Sequence, residues 1–103
     1  MASPLSIGVS DLQGMAMPLI LDVREDWERD IAAIEGTVNI PLQALPTRSE
    51  ELPKDRQIVV MCHHGGRSAR ATAWLRENGY DATNLEGGID AWATQVDPAI
   101  ARY

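Results

Sequence analysis

The chain has 103 residues, 45% of them hydrophobic, with fifteen acids against nine Lys plus Arg and a formal net charge of −6. That length suits one compact domain with one core and leaves no room for a second. The acidic balance argues against nucleic acid or an anionic membrane as partner, because phosphate binding needs clustered cations, and the single cysteine rules out an internal disulfide.

Residues 1–10 lack the basic start and the apolar run of an export signal, and no segment is long and apolar enough to span a bilayer. One unpaired cysteine suits a reducing compartment, so a cytoplasmic location is expected. A weak strand signal covers residues 7–9. Pro18 then leads into Leu19-Ile20-Leu21-Asp22-Val23, an apolar run of the kind buried on both faces of a parallel sheet. Residues 25–31 read as a short acidic turn of helix, and residues 38–40 as a second weak strand. Residues 42–52 contain Pro46 and a polar centre, which predicts broken helical turns.

After a polar stretch, Ile58-Val59-Val60-Met61 forms the second strongly apolar run. The clearest helix spans residues 67–78, with Ala71, Trp74 and Leu75 on one stripe and Gly79 just past its end. A weak strand at 83–85 and a short helix at 88–93 follow, and residues 97–103 carry little signal. This alternation predicts a single α/β domain over residues 1–103, with its core at about 5–95. A mainly parallel sheet of about five strands should carry helices on both faces.

Between the strand ending at Met61 and the helix beginning near Arg67 lies Cys62-His63-His64-Gly65-Gly66-Arg67-Ser68. A strand, a glycine-containing loop and a helix start make an anion site from inward-turned N–H groups and the positive end of the helix dipole. A sulfur at its base would be stabilised as thiolate and made reactive. Gly65 and Gly66 allow backbone angles that side chains resist. Arg67 opposes the dipole in the first helical turn, which makes sense if the bowl holds an anion that the guanidinium also attracts. Ser68 either caps the helix or donates to that anion.

A lone cysteine in a small domain is ordinarily an inert apolar residue; its place on this loop points instead to a nucleophile. His63 and His64 raise the question of a metal. Adjacent side chains on a tight loop seldom converge on one ion, and no further Cys or His completes a zinc tetrahedron, so no metal is expected. The histidines line the pocket rim, adding positive charge below pH ~6.5, or are simple exposed loop residues.

These residues resemble the rhodanese-like sulfurtransferases in their small single-domain form, over residues 19–92. Leu21-Asp22-Val23-Arg24-Glu25 with Trp27, Glu28, Ile34 and Gly36-Thr37-Val38-Asn39-Ile40-Pro41 is similar to the family's amino-terminal signature. Cys62 to Ser68 is similar to its active-site loop, and Asn84-Leu85-Glu86-Gly87-Gly88-Ile89 with Ala91-Trp92 to its carboxy-terminal signature. Where the family often has Gly-His, this chain has Ala32-Ala33, a departure away from the loop that bears on partner or substrate contacts.

The resemblance implies a thiosulfate sulfurtransferase of rhodanese type. The Cys62 thiolate would attack the outer sulfur of thiosulfate or a similar donor, and sulfite would leave with help from Arg67 and the bowl. The persulfide on Cys62 would then pass its sulfur on, in covalent catalysis without a separate cofactor. With no second cysteine the acceptor must be external: cyanide, a small thiol or a protein thiol. The related dual-specificity phosphatases carry one residue more in the loop, so the four residues between Cys62 and Arg67 favour sulfur over phosphate; no aspartic acid near the loop stands out as a general acid. A phosphatase or arsenate reductase, and a non-catalytic or sulfur-carrier interaction module, are the rival readings.

Supporting residues follow from the same blocks. Asp22 and Arg24 should be paired polar groups near the site, with Arg24 bonded to Glu28 or Glu86. Gly87 and Gly88 should make the turn into the last helix, and Trp27, Trp74 and Trp92 should anchor the core.

Overall fold

The computed structural model describes residues 4–16 and 18–103; residues 1–3 and 17 of the expected 1–103 domain lie outside the described residues. Five parallel strands, β1 (Ser6–Ile7), β2 (Leu19–Asp22), β3 (Val38–Asn39), β4 (Gln57–Met61) and β5 (Asp81–Leu85), form one sheet in the order β1-β5-β4-β2-β3. All four pairings are parallel, as the apolar runs predict. The two longest inner strands, β4 and β5, bury four of their five residues each. Both edge strands have only two residues, which leaves little unpaired edge to attract another chain.

Side-chain alternation divides the core into two layers. Ile58, Val60 and Cys62 join Leu21, Val23, Leu45, Ala71 and Leu75 on one face, beneath α3 (Leu45–Arg48) and α4 (Gly66–Glu77). Val59 and Met61 join Val9, Leu12, Leu85 and Ile89 on the other, beneath α1 (Val9–Gln13) and α5 (Gly88–Gln95). A period of two along β4 therefore feeds both layers. Packing continues to Ile100 and Tyr103, beyond the boundary near residue 95 that the sequence suggests.

The segment from Leu42 to Glu51 is a chain of short turns, 3-10, α and 3-10, as Pro46 predicts. Helix α4 buries Ser68, Ala71, Thr72 and Leu75, the i, i+3, i+4, i+7 stripe of an amphipathic helix; Trp74 is only partly buried at its edge. Past its end the N–H of Tyr80 returns to the Leu75 carbonyl at 3.0 Å.

Three expectations are corrected. Val9 is not strand: the Asp11 carboxylate accepts the Gly8 N–H at 3.1 Å and starts α1, which buries Val9 and Leu12 at i, i+3. Trp27 is not a core anchor, being 61% exposed on α2 (Asp26–Ile31); the buried position of that helix goes to its neighbour Glu28. Arg24 pairs with Asp22, and not with the side chain of Glu28 or Glu86.

Candidate active site

Cys62 follows β4 directly, at the carboxyl end of the central strand, where open parallel sheets bind ligands. Its side chain is 1% exposed and belongs to the apolar cluster on the α4 face. Gly65, at φ +115°, caps α4; this left-handed backbone is open to glycine at little cost. It turns the Gly65 N–H onto Cys62 Sγ at 3.1 Å. A Cβ there would also sit 3.3 Å from the Gly87 nitrogen, so the loop packs closely on the turn into α5.

Ser68 is not the cap. It lies inside the first turn of α4, fully buried, with Oγ 3.3 Å from Cys62 Sγ and 2.5 Å from Asn84 Oδ1. Burial is the largest single influence on the Cys62 thiol and pushes its pKa up; hydrogen bonds from the Ser68 hydroxyl and the N–H groups of Ser68, Gly65 and His64 together outweigh it. The net shift is downward, toward the thiolate.

The carbonyls of the loop are held from below. Ile89 N–H donates to the Cys62 carbonyl at 2.9 Å and Asp90 N–H to that of His63 at 3.1 Å. The amino end of α5 therefore fixes the loop while the amino end of α4 faces the sulfur. Gly87 and Gly88, at φ +79° and +56°, make the turn as expected.

Arg67 does not stand free at the bowl. Its guanidinium forms a two-pronged ion pair with Glu28, Nη1 to Oε2 at 2.6 Å and Nη2 to Oε1 at 2.7 Å. The anion that offsets its unfavourable place on the dipole is thus a carboxylate of the chain itself. Glu28 also accepts the Glu25 N–H at 2.9 Å and the Tyr103 hydroxyl at 2.9 Å. Hydrogen bonding to Arg67 is the main reason its carboxyl falls to about 2. Arg67 is correspondingly raised, chiefly by Glu28.

Asp22 and Arg24, both fully buried, form the paired group predicted at the end of β2, with Nη2 to Oδ2 at 2.7 Å. The remaining Arg24 donors reach the carbonyls of Ala32 at 2.8 Å and Glu28 at 3.4 Å and the hydroxyl oxygen of Tyr103 at 2.9 Å. Arg29 adds a second cation to Asp22 at 2.8 Å. Glu86 is exposed and its carboxylate accepts from Ser6 at 2.8 Å, so it serves the site through its backbone beside Gly65. Gly66 is the exposed first residue of α4.

His63 is half-buried and His64 exposed. The His63 ring stacks on Tyr103 with centroids 3.8 Å apart and planes 5° from parallel. Burial, with the neighbouring His64, lowers the His63 pKa, so it stays neutral at pH 7. Asp90 lies against the loop, but it is not an available proton donor. Arg102 binds it at 2.9 and 3.2 Å and lowers its pKa. His63, His64 and Asp90 offer ligand atoms within 4.8 Å of one another. The two imidazoles are tilted 30° at a centroid distance of 3.9 Å, and Arg102 already holds the carboxylate.

Sequence reasoning missed four contributors: Glu28 as the partner of Arg67, Asn84 behind Ser68, Asp90, and Tyr103. Glu28 stood inside the quoted blocks with its bond assigned to Arg24, and Asn84 without an assigned bond; Tyr103 gave no signal at all.

The model of the rhodanese-like domain matches residues 9–95. A sulfurtransferase of Allochromatium vinosum is 39% identical over 84 residues, 81% of this chain and 78% of that protein. The adenylyltransferase/sulfurtransferase MoeZ of Mycobacterium tuberculosis is 40% identical over 87 residues, 82% of this chain but only 22% of MoeZ. A rhodanese-related protein from Thermoplasma volcanium superposes with a TM-score of 0.86 at 33% identity, covering 95% of this chain and 98% of that one. With its parallel sheet, its cysteine loop after the central strand and a family match across most of its length, the chain belongs to the rhodanese-like domain family.

Proposed function

We propose that this protein is a sulfurtransferase that moves a sulfane sulfur from thiosulfate or a similar donor to an external acceptor through a persulfide on Cys62. The observation that carries the reading is the placement of Sγ at the amino end of α4, with Gly65 N–H at 3.1 Å and Ser68 Oγ at 3.3 Å. Together these bonds hold the thiol pKa below its ordinary value despite burial. The names of the relatives in Allochromatium vinosum and Mycobacterium tuberculosis, both sulfurtransferases, support the same chemistry.

The thiolate attacks the outer sulfur of the donor, the donor S–S bond breaks, and the leaving group takes the electron pair. The same loop N–H groups then steady the sulfur chain on Cys62. A nucleophile attacks the outer sulfur and returns Cys62 as thiolate, a ping-pong sequence. The chain has one cysteine, so cyanide, a small thiol or a protein thiol must be the acceptor. No helix among the described residues is long and apolar enough to cross a membrane, and an unpaired reactive thiol suits the cytoplasm.

The test is intact mass after incubation with a sulfane donor. A gain of one sulfur atom, removed by cyanide and absent in Cys62→Ser, is expected. No gain with thiosulfate or a hydropersulfide would rule the reading out.

A further inference from the structure

The cations that adjoin the Cys62 loop are already engaged. Arg67 gives both terminal nitrogens to Glu28, Arg24 is enclosed by Asp22, two carbonyls and Tyr103, and Arg102 holds Asp90. Glu28 cannot turn aside freely. It is 2% exposed and is pinned by the Glu25 N–H and the Tyr103 hydroxyl as well as by Arg67. Tyr103 is pinned in turn by its stack on His63 and its bond from Arg24. A dianion entering the bowl therefore meets an arginine whose charge is already matched by a buried carboxylate.

We infer that Glu28, held in place by Tyr103, is a specificity-determining residue that occupies Arg67 and disfavours dianionic sulfur donors relative to hydropersulfides without a charged headgroup. This rests on the reading of Cys62 as a sulfur-accepting nucleophile. With thiosulfate, the Cys62 thiolate bonds to the outer sulfur, the S–S bond breaks, and sulfite leaves as a dianion with the electron pair. Three negative charges then share a site next to Glu28. With a hydropersulfide R–S–S–H, the thiolate bonds to the outer sulfur, which keeps its proton, and R–S⁻ leaves with the electron pair. One negative charge is carried throughout, and neither reaction needs an oxidant or reductant. Glu28 discriminates between them because, by holding both terminal nitrogens of Arg67, it withholds a cation whose attraction scales with the donor's charge.

The experiment compares kcat/KM for thiosulfate and for 2-hydroxyethyl hydropersulfide, with cyanide as acceptor and intact mass confirming sulfur on Cys62. Glu28→Gln keeps the size of the side chain and one accepting oxygen while removing its charge; the amide nitrogen in place of the other oxygen cannot accept from Arg67. The thiosulfate-to-hydropersulfide ratio should rise about tenfold, the effect of freeing one charge-assisted partner, through a lower KM for thiosulfate and not through kcat. Tyr103→Phe removes one hydroxyl and keeps the stack, so the ratio should rise about threefold; it carries the test if Glu28→Gln does not fold. Adding Arg67→Ala to Glu28→Gln should erase the gain. An unchanged ratio in the folded variants, or a gain that survives loss of Arg67, overturns the inference and leaves the sulfur-transfer reading standing. Absence of sulfur on Cys62 from either donor overturns both.

Discussion

Replacing Gly88 by alanine should do far more damage than its single methyl group suggests. Gly88 lies at φ +56°, and a Cβ there would collide with the Cys62 carbonyl oxygen and lie 2.6 Å from the His63 oxygen and 2.7 Å from the His63 carbonyl carbon. These atoms are backbone and cannot swing away. Either the Cys62 loop moves or α5 moves, and either motion stretches the bonds from Ile89 and Asp90 N–H to the same two carbonyls. Overpacking of this kind costs about 1–3 kcal/mol, and the left-handed backbone adds about 1 kcal/mol. Gly36 supplies the control, with φ +83° and open space around a Cβ, so Gly36→Ala should cost only the backbone share, about 1 kcal/mol. Urea unfolding at pH 7 measures both. The expected gap between the variants is about 1–3 kcal/mol, with a melting temperature lower by about 4–8 °C for each kcal/mol. The thiolate of Gly88→Ala, followed by its ultraviolet absorbance, should also titrate at higher pH than wild type, because Gly65 packs on this turn. If Gly88→Ala is no less stable than Gly36→Ala and its thiolate titrates as in wild type, α5 does not brace the loop.

Ser68→Ala removes the hydroxyl at 3.3 Å from Sγ and should slow alkylation of Cys62 by iodoacetamide at pH 7 about threefold to tenfold; an unchanged rate would show that the loop N–H groups alone stabilise the thiolate. Asp22→Asn leaves the fully buried Arg24 without its counter-charge and should cost about 3–5 kcal/mol in urea unfolding, whereas a loss below about 1 kcal/mol would mean that the carbonyls around Arg24 suffice. Acid should unfold the protein partly through Glu28. Its carboxyl is lowered from 4.5 to about 2, so its stabilisation is present above pH 4.5 and is lost as pH falls from there toward 2. The whole effect is about 3 kcal/mol. Urea stability measured from pH 7 to 2 should fall less steeply in Glu28→Gln than in wild type, and parallel curves would contradict the assignment.

The parts of the molecule legible in the chain itself are those whose cause is local. The apolar runs of β2 and β4, the stripe Ala71 and Leu75 on α4, and a cysteine set between a strand and a helix by two glycines all declare themselves within a dozen residues. Their period and spacing are direct consequences of backbone geometry. Helix α1 escaped notice because five residues are too few to show a period. Trp27 was misplaced because burial on a two-turn helix went to its charged neighbour Glu28, which carries its own partners.

What only the fold decided is which distant groups meet at the ends of the strands. Arg67 and Glu28 are 39 positions apart, Tyr103 reaches Arg24 across 79, and Ser68 meets Asn84 across 16. No local pattern encodes such pairings, because each depends on where the chain crosses over to lay parallel strands side by side. Cys62 could be named from its own segment; the company it keeps, and the carboxylate that claims its arginine, follow from bringing the carboxyl ends of β2 and β4 and the last residues of the chain to one place.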